Sequence, residues 1–423
     1  MRLYIDPGTG SMLFAILIGI IGALNYLLKG WLVKIRFILS GGQKVKVNAD
    51  RIPLVIFSDN KRYWNVFEPV CRELDRRGVD VVYMTASPDD PVLDCPYEHV
   101  RGEFIGENNR AFAKLNFLNA SIVLSTTPGL DVYQWKRSKG VQCYVHMLHA
   151  ANEVIMYRMF GIDYYDVLML SGEYQVRNVR YLEKIRGLPE KELVKIGIPY
   201  MDEMAARLAA DRHTQEPADP KGKEPEACPR TVLLAPSWGK SAIFAKYGGK
   251  IIEVLKNSGY HIIIRPHPQS FLAEKELLAE LMQEYPESRQ IEWNRDNDNY
   301  EALKRADILI SDFSGVIFDF SLVHDKPVIY ADTEYDNSPY DAWWLEDTYW
   351  TFTALPRIGQ KLTTDNLVTL KEMIDTCLTD PRYAKGRKEV REETWEHPGE
   401  GAARAVDWLL AKYEKIRAEE EGR

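Results

Sequence analysis

Strand-sized apolar runs alternate with amphipathic stretches of helical period along almost the whole chain, stop at one proline-studded segment, and then begin again. A chain so patterned is expected to build parallel sheets, because each strand needs a crossover helix to return beside the one before it. Residues 53–57 are apolar and end in Ser58, Asp59 and Asn60, and the amphipathic residues 63–77 stop at Gly78. Further apolar runs cover residues 79–84, 121–124, 141–145 and 167–170. Between 213 and 229, Pro217, Pro220, Pro225 and Pro229 are interleaved with charged and small residues without periodicity, which marks a linker. Beyond it, 231–235, 260–265, 307–310 and 327–330 read as strands, and 249–257 and 272–284 as helices. The expected architecture is α/β, with two Rossmann-like lobes, 50–212 and 230–423, facing a cleft. A length of 423 residues agrees with this, since domains usually run to roughly 100–200 residues.

Residues 1–49 stand apart. The run 12–28 carries no charge and is close to the roughly 17–25 residues a helix needs to cross a bilayer. Lys29, Lys34, Arg36, Lys44 and Lys46 follow it and only Arg2 precedes it, so the positive-inside bias puts the body of the chain at the cytoplasmic face of the membrane. A cleaved signal peptide is the competing reading. Asp6, the weakly basic start and the lack of an Ala-x-Ala site count against it. Residues 31–39 could continue as a helix lying in the interface.

A net charge of −8 argues against a nucleic-acid partner, which calls for a basic face. Any anionic ligand must then be held by a local site. Cys71, Cys95, Cys143, Cys228 and Cys377 form neither a CxxC pair nor a regular framework, so neither zinc nor disulfides are expected.

Arg265-Pro266-His267-Pro268 follows an apolar strand directly, where open α/β sheets bind their ligands. The prolines stiffen the backbone around His267, which can donate to a phosphate oxygen while Arg265 adds charge. A rigid turn with a loop-capping histidine is the plain alternative. The stretch from Ile308 to Asp319 reads as a strand, a small polar turn and a helix start, with Ser314 or Asp312 as cap and the exposed amides near Gly315 as an anion site. It lacks both GxGxxG and the P-loop lysine, so it indicates phosphate without naming a nucleotide. His146 and His149, at i and i+3 past the run 141–145, are candidates for a general base, with a buried, hydrogen-bonded structural histidine as the plain alternative for either. Neither HExxH nor a third ligand accompanies them, so no metal is expected. Ser237 closes the run 231–235 and could face the cleft, whereas the Trp238 ring is expected in the core. Packing is also the expected role of the aromatic cluster Tyr340, Trp343, Trp344, Tyr349 and Trp350.

Taken in order, these stretches resemble the CDP-glycerol glycerophosphotransferase family of teichoic acid primases and polymerases. The shared pattern is a histidine motif after a first-lobe strand, a strand ending in Arg265-Pro266-His267-Pro268, a strand followed by Ser311-Asp312-Phe313-Ser314-Gly315 and Phe318-Asp319, and Asp325-Lys326-Pro327-Val328. A closing helix start at Glu400-Gly401-Ala402-Ala403-Arg404 is similar too, and the resemblance spans about residues 50–412. It implies a glycosyltransferase-B-like (GT-B-like) fold, CDP-glycerol as donor and no cofactor. Arg265, His267, Ser237, Asp312, Ser314 and Gly315 are the implied donor-binding residues, and His149, supported by His146 and His267, the implied catalytic ones. The family's Trp-His-Gly-Thr-Pro context is replaced here by His146-Met147-Leu148-His149-Ala150, which leaves the choice of base open.

The implied reaction moves glycerol phosphate from CDP-glycerol to a hydroxyl of a lipid-linked glycan or polyol-phosphate acceptor and releases CMP. A GT-B glycosyltransferase using CDP-ribitol or a nucleotide sugar is one alternative, and a membrane-tethered, non-catalytic binding module is another. A homo-oligomer is compatible with either.

Overall fold

The computed structural model describes residues 51–214, 229–296, 298–333, 338, 340 and 349–422. The expected membrane helix at 12–28 and nearly all of the linker lie outside the described residues, among which no helix is long and apolar enough to cross a membrane. Ile52–Arg423 forms one compact unit.

Its first sheet comprises β1 (Ile52–Ser58), β2 (Val81–Thr85), β3 (Val100–Phe104), β4 (Asn119–Ser125), β5 (Gly140–Met147), β6 (Val167–Leu170) and β7 (Glu192–Lys195), in the order β3-β2-β1-β4-β5-β6-β7. The second comprises β8 (Thr231–Leu234), β9 (His261–Ile264), β10 (Ile291–Trp293), β11 (Ile308–Ser311), β12 (Val328–Ala331) and β13 (Gly359–Leu362), in the order β10-β9-β8-β11-β12-β13. All pairings are parallel. Residues 54–58 of β1 are buried throughout, as a strand covered on both faces requires, so it reads as a continuous apolar run and not as an alternation.

Each sheet reverses its direction of growth between its first and fourth strands, β1/β4 and β8/β11. Crossovers leave such a point toward opposite faces, and a crevice opens beyond the carboxyl ends of the strands. Both points are pinned in the same way. Ser125 at the end of β4 donates to the Phe57 carbonyl at 3.0 Å, and Ser311 at the end of β11 donates to the Ala235 carbonyl at 2.6 Å.

Two helices leave the lobe to which their place in the chain would assign them. The helix Pro199–Thr214 buries Met201 and Met204 with Leu303 and Phe320 of the second lobe. The closing helix Gly401–Glu421 returns to the first, burying Ala405, Val406 and Leu409 with Leu54, Phe67 and Ile122. The return is tied down by Asp202, whose Oδ1 accepts from Trp395 Nε1 at 2.8 Å and Gly399 N at 2.7 Å, and whose Oδ2 accepts from Gly401 N at 2.9 Å. A side chain at position 401 would place its Cβ 2.7 Å from that Oδ2, so the latch needs a glycine there. Asp202→Ala leaves three donors without their acceptor and is expected to lower stability by about 2–3 kcal/mol. The measurement is the urea midpoint at unchanged slope, and an unmoved midpoint would show that the latch contributes nothing.

Candidate functional site

The carboxyl-edge loops of the two sheets enclose a cleft of about 910 Å³. The first lobe contributes Arg62 and Tyr63 after β1, and His149 and Asn152 after β5. The second contributes Trp238 after β8, Arg265 and His267 after β9, and Ser314 and Gly315 after β11. His149, Arg265, His267, Ser314 and Gly315 are thus brought to one cavity, as the sequence led one to expect.

His267 is set as a hydrogen-bond donor. The backbone N–H of Gln269 donates to its Nδ1 at 3.1 Å, which assigns the proton of the neutral ring to Nε2. Burial, with the nearby Arg62 charge second, lowers its pKa to about 4. An uncharged imidazole with a fixed Nε2–H suits an anionic oxygen. Trp238 is half exposed beside it, with ring centroids 6.5 Å apart, and lines the cleft instead of the expected core. The chain turns sharply there at Gly239, whose φ of +89° favours glycine.

The two first-lobe histidines separate. His149 lines the cleft, its Nδ1 lies 2.7 Å from Thr126 Oγ1, and its ring meets Tyr63 edge-on at 5.1 Å. With Nδ1 so occupied, Nε2 is the nitrogen left for a ligand. Burial and then Arg62 lower its pKa to about 4. His146 does not line the cleft. It lies inside β5, fully buried, 3.2 Å from Tyr157 Oη, with burial holding its pKa at about 3. The reason is positional: β5 ends at Met147, so position 146 belongs to the sheet and 149 to the loop.

Past β11 the chain also departs from expectation. Neither Asp312 nor Ser314 caps the short helix Val316–Phe318, for which Gly315 stands at the cap position. Asp312 turns inward and accepts from the amides of Ser237 at 3.1 Å, Ile243 at 3.1 Å and Phe313 at 2.8 Å. Asp312 and Ser237 therefore meet, but behind the cleft wall, where they fix the loop after β8 against the turn after β11. The amides of Ser314, Gly315 and Val316 make no hydrogen bond among the described residues, and three successive N–H groups at a turn form an anion cradle. Gly315 lets the turn approach the first lobe closely, since a Cβ there would lie 3.0 Å from Asn152 Oδ1 across the cleft.

Arg265 lines the cleft while one edge of its guanidinium is committed to Asn294 Oδ1 and, at 2.8 Å, to the Asp296 carbonyl. Arg62, Arg158, Lys240 and Arg265 supply four cations, against Asp319 as the one described carboxylate of the lining. Sequence reasoning passed over Arg62, although its place just beyond β1 at the switch point was a usable signal. It also passed over Asp319, which burial alone pushes up to about 7. Asp319 adjoins Tyr200, whose hydroxyl donates to Asn299 Oδ1 at 2.9 Å and whose own pKa rises through burial first and the Asp319 charge second. Since the folded pKa of Asp319 exceeds the unfolded value of about 3.9, its carboxylate burdens the native state increasingly as pH rises between those values. Asp319→Asn is expected to raise the melting temperature at pH 8 and to leave it unchanged at pH 4, read by thermal melts at both.

The expected aromatic packing holds for part of its cluster. Trp350 stacks on Phe318 at 5.4 Å and lies 4.2 Å from the Tyr174 ring, Tyr340 lines the cleft, and Trp343 and Trp344 lie outside the described residues.

A family model of CDP-glycerol:poly(glycerophosphate) glycerophosphotransferases matches residues 159–409. The wall teichoic acid polymerase TagF, in a form soaked with CDPG, is similar with a TM-score of 0.56 and 14% identity, over 93% of this chain and 98% of that one. The UDP-GlcNAc 2-epimerase of Methanocaldococcus jannaschii, in complex with UDP-GlcNAc and UDP, is similar with a TM-score of 0.55 and 15% identity, over 86% of this chain and 100% of that one. A putative UDP-N-acetylglucosamine 2-epimerase of Listeria monocytogenes gives 0.53 and 12%, over 86% and 97%. At such identities these likenesses establish the two-lobed fold and nothing finer. Comparison with curated protein sequences finds no match.

Proposed function

The chain belongs to the CDP-glycerol:poly(glycerophosphate) glycerophosphotransferase family, and from that premise we propose that its cleft transfers glycerol phosphate from CDP-glycerol to an acceptor hydroxyl. One observation carries the reading: four cations, a neutral Nε2–H donor and three unpaired amides line one cavity that holds a single described carboxylate. Such a lining suits a diphosphate.

The acceptor oxygen attacks the phosphorus bearing glycerol, the bond from that phosphorus to the bridging oxygen breaks, and CMP leaves with the electron pair. His149 takes the acceptor's proton at Nε2 while its Nδ1–H donates to Thr126. A bound diphosphate offsets the Arg62 charge, one of the two causes that depress His149, and so makes it a stronger base than in the empty cleft. His267, Arg62 and the amides at 314–316 offset charge growing on the leaving phosphate, the largest contribution expected in such a transfer. Asp319 suits a hydroxyl, since an ionised carboxylate and a diphosphate repel one another. The uncharged run at 12–28 would hold this cleft at the cytoplasmic face beside a lipid-linked acceptor.

The test is an assay of purified protein with CDP-glycerol and lipid-linked acceptors, following CMP and the mass of the product. CDP-ribitol and UDP-sugars run in parallel. Product formed from CDP-glycerol supports the reading, whereas turnover with a UDP-sugar alone would replace it with glycosyl transfer.

A further inference from the structure

Asn152 belongs to the first-lobe wall of the cleft and stands directly against the second lobe. Its Oδ1 is buried without a hydrogen-bond partner, 3.0 Å from the point that a Cβ on Gly315 would occupy. Glycine has a hydrogen there, so the oxygen abuts a Cα–H group, a weak contact that sets the plane of the amide without supplying a strong donor. The other end of that plane is Nδ2, which makes no hydrogen bond among the described residues. Two N–H donors are therefore held at the wall of the cavity with no acceptor. The backbone beneath them is locked. The Ala151 carbonyl accepts from Tyr174 Oη, the Asn152 carbonyl accepts from Gln175 Nε2 at 2.9 Å, and the Glu153 carboxylate accepts from the backbone N–H of Thr351 at 2.9 Å. Gln175 is itself fully buried and accepts from the backbone N–H of Ser171 at 2.7 Å. Tyr174 and Gln175 lie in the first turn of the helix Glu173–Arg186, whereas Thr351 lies at the start of the helix Trp350–Ile358, beyond β12 in the second lobe.

Three successive residues are thus tied, two to their own lobe and one to the other, so the amide has its place before any ligand arrives. Burying its oxygen without a donor lowers stability, and the arrangement calls for a compensating role. The neighbours name the ligand atom. Opposite Asn152 lie the free amides of Ser314, Gly315 and Val316, and three residues before it on the same loop lies His149. Donors converge from both lobes on one space, which suits an anionic oxygen between them. Resting on the donor reading above, we propose that Asn152 Nδ2 donates to a non-bridging oxygen of the glycerol-bearing phosphate, so that the first lobe grips the group being transferred while the second grips the CMP phosphate. The grip distinguishes the donor from its product: once the glycerol phosphate has moved, CMP is held by the second lobe alone.

The experiment is calorimetry of the full chain with CDP-glycerol and, separately, with CMP. Asn152→Ala is expected to weaken CDP-glycerol binding about tenfold or more and to leave that of CMP within about twofold. Asn152→Asp keeps the size of the side chain and the backbone ties but sets a carboxylate against the phosphate, and should weaken CDP-glycerol about a hundredfold at pH 8 in a protein that circular dichroism shows to be folded. That variant keeps the proposal testable if Asn152→Ala loosens the loop. An unchanged affinity for CDP-glycerol in Asn152→Asp, or a loss for CMP as large as that for CDP-glycerol in Asn152→Ala, overturns the proposal alone. Failure of the unmodified protein to bind CDP-glycerol overturns the donor reading, and this inference with it.

Discussion

His267→Ala is expected to slow CMP release from CDP-glycerol by about a hundredfold or more, with a folded protein of nearly unchanged melting temperature. The backbone N–H of Gln269 holds the Nδ1 side of the ring, so Nε2–H is already aimed before any ligand arrives. A donor placed in advance on an oxygen that gains charge gives most of its benefit in the transition state, so the loss should fall on kcat more than on the donor KM. His267→Gln, which retains an N–H donor, should recover part of it. Equal loss in kcat/KM through KM alone would mean that His267 only binds the ground state.

His149→Ala is expected to cost a similar factor, about a hundredfold, and to separate from Asp319 by pH. Burial and Arg62 keep His149 neutral above about pH 4, so it adds no inflection near neutrality in the free protein. Asp319, pushed up to about 7, ionises there. An acceptor hydroxyl that donates to Asp319 needs the ionised form, so kcat/KM for the acceptor should rise as pH passes through about 7. Asp319→Asn should flatten that rise, and His149→Ala should retain it at reduced amplitude. A rise that survives in Asp319→Asn would assign it to another group.

How far the sequence reveals this molecule depends on burial. Strand β6 is legible to the residue at Val167–Leu170, and β1 nearly so, because strands covered on both faces are continuous apolar runs. The strands that escape notice lie at or next to the sheet edges. In β7, Glu-Leu-Val-Lys is nowhere fully buried, β13 is Gly-Gln-Lys-Leu, β3 carries Arg101 and Glu103, and β10 has three residues, so none offers an apolar run to detect. In the site, His267 and the turn at Ser314 and Gly315 are legible because each follows a recognisable strand. His146 and Asp312 mislead, since one residue either way across a strand end decides between sheet interior and ligand. Asp319 is plain in the sequence as a helix residue, but no local pattern shows that it opens a π-helical turn, Asp319–Val323, and is buried there. The pairing of Arg72 with Glu203 is illegible for a different reason. The two meet across 131 positions of chain, through a helix that crosses between the lobes.

The most direct measurement is a crystal structure of the protein with CDP-glycerol. It should place the diphosphate within hydrogen-bond distance of His267 Nε2 and the amides at 314–316, with Arg62 beside it and His149 facing the glycerol-bearing phosphorus. A nucleotide bound with its phosphates away from His267, or on the far side of the cleft from His149, would contradict the transfer reaction assigned to this cleft.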